Sequence, residues 1–91
     1  MSLIVYRSKY FQMSVNNVKS DFGRAVYTRR LDLGISQEEL ANRSGLHRTY
    51  ISDVERGNRN ISLECIDKLA RGLGLSVSAL FARADEGAAL P

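Results

Sequence analysis

The sequence predicts an all-α domain of five short helices, and three observations carry that expectation. Glycines stand where helices should stop, at Gly34, Gly45, Gly57, Gly72 and Gly74, and glycine ends a helix in the left-handed conformation without a Cβ penalty. Ser36, Ser62 and Ser76 precede three of the periodic runs, where a serine hydroxyl accepts a bond from an otherwise orphaned N–H. Between these marks the apolar residues recur at helical spacing. Ninety-one residues with 44% apolar content make one small domain at most. A chain of that size buries a modest core and gains from a partner chain.

The first helix is expected over residues 20–33, with Phe22, Ala25, Val26 and Leu33 inward and Gly34 as its stop. The second follows Ser36 over residues 37–44, and Glu39 three residues after that serine completes a capping box. Its Leu40 and Ala41 form an apolar patch. Gly45 makes the turn, and Leu46 fills the space between this helix and the next. The third helix starts near His47 and runs to Arg56, with Ile51 and Val54 on one face and Arg48, Thr49, Ser52 and Arg56 on the other. Asn58-Arg59-Asn60 is a turn. The fourth helix carries Leu63, Ile66, Leu69 and Ala70, and a short fifth carries Val77, Leu80 and Phe81.

Three segments result: an extension over 1–17, the helical unit over 18–83 and a small, acidic tail over 84–91. The β-branched and aromatic residues of 3–11 fit a short strand. One strand is not stable alone, so the alternatives are pairing with its copy in a dimer, packing on the bundle, or a loosely ordered arm. Its apolar patch is too short for a signal peptide or a membrane span, and a soluble, cytoplasmic protein is expected.

A helix braced from behind and polar in front suits insertion into a DNA major groove. The two helices and turn from Ser36 to Gly57, with Gln37, Ala41, Gly45, Ile51, Glu55 and Gly57 at the marker positions, resemble the helix-turn-helix of the Cro/repressor-type (XRE) regulators of bacteria and phages. The run Arg48-Thr49-Tyr50-Ile51-Ser52, then Glu55-Arg56 and Arg59-Asn60, is more narrowly similar to the controller proteins of restriction–modification systems. The resemblance spans residues 20–82 and implies a compact five-helix, phage-repressor-like DNA-binding domain. It also implies a salt bridge between Arg30 and Glu55 that orients the third helix.

The expected DNA-binding residues are Gln37, His47, Arg48, Thr49, Tyr50, Ser52, Arg56, Arg59 and Asn60. Arg48 offers a bidentate fork to guanine O6 and N7, and Thr49 a methyl or hydroxyl to a base edge. Gln37 opens a helix, where N–H groups favour phosphate; in DNA-bound relatives the matching residue bonds phosphate. Tyr50 either contacts DNA, as its counterpart in controller proteins does, or packs on a neighbouring helix. Arg59 and Asn60 either touch phosphate or form a simple turn with Asn in the left-handed region. His47 serves as a cap with a phosphate contact. Asp53 is awkward, since it borders this face and repels phosphate.

The net charge of +3 is only mildly basic, so the placement of the arginines says more than the total. One cysteine excludes an intrachain disulfide and a cysteine zinc cluster; Cys65 is expected to be a buried, inert thiol. One histidine and one cysteine leave no nucleophile–base pair. No catalytic residue, metal or cofactor is expected.

The expected function is sequence-specific transcription regulation by a homodimer on a pseudo-palindromic operator. The dimer would join through Val77, Leu80 and Phe81, which so small a bundle is not expected to bury alone. The controller resemblance implies repression or activation, the latter by touching RNA polymerase, of a restriction–modification operon and its own gene. The alternatives are an antitoxin-type repressor that also binds a toxin protein, and an interaction module without DNA binding.

Overall fold

The computed structural model describes residues 18–89, and all regular structure in them is helical. The helices are α1 (Val18–Leu33), α2 (Gln37–Ser44), α3 (Arg48–Glu55), α4 (Leu63–Gly72) and α5 (Val77–Ala89). The expected strand lies outside the described residues.

The serine caps form as expected. Ser36 Oγ accepts from the Glu39 N–H at 3.0 Å, Ser62 Oγ from Cys65 at 3.2 Å and Ser76 Oγ from Ala79 at 3.1 Å. The capping box at Ser36 is only half made, because the Glu39 carboxylate takes Arg43 one turn on, at 3.1 Å. Gly45 ends α2 at φ 74°, and its N–H and that of Leu46 both donate to the Ala41 carbonyl.

Phe22, Ala25 and Val26 of α1, Leu40 and Ala41 of α2, Ile51 and Val54 of α3, Leu69 and Ala70 of α4, and Leu80 and Ala84 of α5 make one core. Leu46, Leu33 and Tyr50 pack against it from partly exposed positions. α1 is the element that the recognition part of the fold leans on. A Cβ at Gly23 would overlap the Val54 carbonyl and come within 2.9 Å of the Glu55 carbonyl. The backbones of α1 and α3 therefore meet at a contact that no side chain separates, which is one structural use of glycine inside a helix.

Three sequence expectations need correction. Leu80 is 0% exposed within the single chain; its helix packs on α1 and α4 and it belongs to the shared core, so it leaves the candidate dimer face. Leu63 is 78% exposed, because it lies on the outward side of the first turn of α4. Cys65 is half-buried, and its polar neighbours Ser62 and Tyr50 lower its thiol from the ordinary value. The last helix runs past residue 83, where the sequence suggests the helical unit ends. α5 continues to Ala89, with Ala84 buried, since the small residues there are mostly good helix formers.

Candidate nucleic-acid interface

The candidate surface is built on α3, eight residues long. Ile51 and Val54 point into the core at 0% and 1% exposure. Helical periodicity then turns Arg48, Thr49, Ser52 and Arg56 away from the core, where Arg48, Thr49 and Arg56 are exposed.

The inward side is locked by a four-residue polar network. Arg30 Nε and Nη2 donate to Glu55 Oε2 and Oε1 at 2.7 and 3.0 Å, a fork-on-fork pair. Arg30 Nη1 donates to the Ile35 carbonyl at 2.9 Å, and Gln37 Nε2 donates to Glu55 Oε1 at 3.0 Å. The salt bridge that the family resemblance implies is therefore present, with side-chain exposures of 10% and 5%. The hydrogen bonds to Glu55 raise the Arg30 guanidinium pKa against the opposing effect of burial. One network thus ties the end of α1, the start of α2 and the end of α3, and so fixes how α3 projects. Gln37, expected at phosphate, has one amide hydrogen committed to Glu55.

The outward side is organised around Asp53. Arg56 Nη2 donates to Asp53 Oδ1 and Arg56 Nη1 to Ser52 Oγ, each at 2.6 Å. Arg59 Nε donates to Asp53 Oδ2 at 3.4 Å, and its guanidinium lies over the Tyr50 ring, 4.7 Å from the centroid. Burial pushes the Tyr50 phenol up to about 12, with the neighbouring Cys65 adding to it. Tyr50 packs half-buried against the core, as one of its two alternatives has it, and carries Arg59 on its ring.

Ser52, Tyr50, Arg56 and Arg59 are brought together. Arg48 and Thr49 stand at the opening turn, and among the described residues neither makes a side-chain hydrogen bond or ion pair. His47 occupies the cap position in extended conformation, with no side-chain cap bond. Asn60 is exposed beyond the cluster. Gly57, at φ 76°, supplies the left-handed residue of the turn; among the described residues no asparagine does. Sequence reasoning treats Asp53 as an obstacle and misses its role as the acceptor of both flanking arginines. The signal is there in part: Asp53 and Arg56 stand three apart on a helix, a spacing at which side chains meet.

Arginine forks, hydroxyls and an aromatic ring on the outer face of a braced helix define a helix-turn-helix DNA-binding transcription regulator. Comparison with known proteins narrows the class. A helix-turn-helix family profile matches residues 26–80. The chain is 51% identical over 61 residues to "Control protein C.BamHI" of Bacillus amyloliquefaciens, covering 66% of this chain and 75% of that one. The crystal structure of the restriction-modification controller protein C.AhdI from Aeromonas hydrophila superposes with TM-score 0.66 at 47% identity, over 68% of this chain and 94% of that chain. That of the wild-type restriction-modification controller protein C.Esp1396I gives TM-score 0.74 at 32% identity, over 79% and 92%. The chain belongs to the helix-turn-helix family of XRE type, and within it to the regulators of the restriction–modification controller kind. These are transcription regulators, not enzymes.

Among the described residues no helix is long and apolar enough to cross a membrane.

Proposed function

We propose that the protein acts as a homodimer on a pseudo-palindromic operator, controlling a restriction–modification operon together with its own gene. The observation that carries this reading is the two-sided α3: apolar and locked by Arg30–Glu55 behind, with Arg48, Thr49 and Ser52 presented in front. Arg48 reads a base through its bidentate fork and Thr49 and Ser52 add hydroxyls. Gln37, His47, Tyr50, Arg56, Arg59 and Asn60 hold the backbone and fix the register. Similarity to controller proteins supports this reading over the antitoxin and interaction-module alternatives.

The dimer uses the face of α5 that remains half-exposed, Val77 and Phe81, without Leu80. Phe81 lines a groove of about 250 Å³ with Val18, Phe22, Ile61 and Ile66, together with Lys19, Arg59 and Asn60. Two recognition helices then reach successive major grooves about 34 Å apart. Occupancy represses where the site overlaps a promoter and activates where the dimer touches RNA polymerase.

A salt-dependent gel shift on the DNA upstream of its own gene tests the reading; a protein that shifts neither this DNA nor an unrelated duplex refutes it. Sedimentation tests the dimer face. Phe81→Asp also removes the ring contact with Phe22, whose centroid lies 5.3 Å away, so Val77→Asp is the cleaner variant. It is expected to give a folded monomer with weakened operator binding, and a dimeric Val77→Asp places the interface elsewhere.

A further inference from the structure

We propose that Asp53 is a specificity-determining residue, a counter-charge on the recognition surface that aims Arg56 and Arg59 and suppresses binding to arbitrary DNA. The proposal rests on the DNA-binding reading above. Its basis is that one carboxylate serves two cations. Oδ1 accepts from Arg56 at 2.6 Å and Oδ2 from Arg59 at 3.4 Å. Each arginine has a second restraint: Arg56 donates to Ser52 Oγ at 2.6 Å, and Arg59 lies over Tyr50 at 4.7 Å. The other acid of α3, Glu55, is taken up by Arg30 on the inner side. Asp53 is thus the acid of α3 that bears on the arginines of the outer face.

Two effects with different dependence on sequence follow. A carboxylate between two arginines lowers the positive charge that the surface offers to phosphate. Phosphate neutralisation with counterion release dominates non-specific binding, so this effect weakens every DNA complex. Fixed arginine orientation favours only a complex whose geometry is also fixed, because preorganisation lowers the cost of binding in one particular pose. On the operator, base contacts hold the helix in register and the pre-aimed arginines meet defined phosphates. On arbitrary DNA no single register exists, so aim gains nothing and the counter-charge only opposes binding. Asp53 therefore widens the ratio between the two.

The test uses the full chain and two duplexes of equal length: one enriched from a random pool by the wild-type protein, and one of mixed sequence. Asp53→Asn keeps the shape and removes the charge. It is expected to tighten binding to the mixed duplex by roughly tenfold and to steepen its salt dependence by about one unit. On the enriched duplex the gain is smaller or absent, so the ratio narrows. Asp53→Glu keeps the charge and moves it by one methylene; a ratio that narrows here as well supports aiming, since charge alone would leave it as in wild type. Thermal melting checks that both variants fold. Equal tightening on both duplexes by Asp53→Asn, or no change on either, overturns the proposal while leaving the DNA reading intact. A wild-type protein that binds neither duplex overturns both.

Discussion

Two carboxylates leave α3 in opposite directions. Glu55 turns inward, where its side chain is 5% exposed and takes three hydrogen bonds from Arg30 and Gln37. Asp53 turns outward, 24% exposed, and takes Arg56 and Arg59. Both are acid–arginine pairs by distance, yet they differ in what they can do. The inner pair is desolvated, so removing one partner strands a buried charge. The outer pairs face water, where such contacts contribute about 0–1 kcal/mol, and their arginines keep further N–H groups free for a phosphate. One helix thus carries a fixed side that sets its direction and a solvated side that meets the ligand.

The largest expected effect breaks the fixed side. Glu55→Ala leaves Arg30 buried without its partner and should lower unfolding free energy by about 3–5 kcal/mol. Denaturant titration measures it. A loss below about 1 kcal/mol would mean that the pair behaves as a surface contact and that the contrast with Asp53 is false. Below that in size comes Gly23→Ala. Alanine is favoured over glycine inside a helix by up to about 1 kcal/mol, so a neutral site would be stabilised. Here the new Cβ meets the Val54 and Glu55 carbonyls, and backbone cannot swing aside as a side chain does. Overpacking of this kind costs about 1–3 kcal/mol, so the net sign should be destabilising. DNA affinity should fall in parallel, because the atoms that must move belong to the recognition helix. A stabilised variant would show that α1 and α3 slide past each other without strain.

The solvated side is tested by binding instead. Arg48→Ala should leave stability unchanged, since Arg48 is exposed. It should cost about 1–3 kcal/mol on the operator and little on random duplex. Titration on both duplexes decides; equal weakening would make Arg48 a phosphate clamp and not a reader.

The legible part of this molecule is the part written in local rules. Glycine stops and serine caps place helices from a few residues each, and the periodic placement of Ile51 and Val54 orients α3 before any tertiary contact is known. The illegible part depends on distance in the chain. Periodicity gives Leu80 to a partner because it cannot measure the size of the core; only the packed helices show that one chain buries it. Gly23 carries no motif, and its importance appears only where another helix crosses it. Arg29 donating to the Leu73 carbonyl at 3.0 Å, and Arg83 pairing with Asp32 at 2.7 Å, join residues 44 and 51 positions apart. The Arg30–Glu55 pair, 25 positions apart, is legible only through the family resemblance. Asp53 lies between these cases: its spacing to Arg56 is local, but Arg59 reaches it from beyond the helix.

The smallest expected effect, and the sharpest on the outer side, is that of Arg59→Ala. Arg59 sits beyond the end of α3, its guanidinium resting on Tyr50 and reaching Asp53 by a bond of 3.4 Å. It is placed to hold backbone, not to read bases, because it lies in the turn and not in the opening turn of the helix. Its removal should therefore weaken both duplexes, the operator at least as much as random DNA. It should also flatten the salt dependence by about one unit of slope, as expected when the protein neutralises one phosphate fewer. The drop in affinity should be modest, because the arginine that leaves was already partly neutralised by Asp53. Stability should hardly change, since exposed pairs contribute little. Titrations of both duplexes at several salt concentrations measure the binding, and denaturant unfolding the stability. A relaxed sequence preference with an unchanged slope would make Arg59 a reader, and the division between a base-reading first turn and a phosphate-holding last turn would have to be reversed.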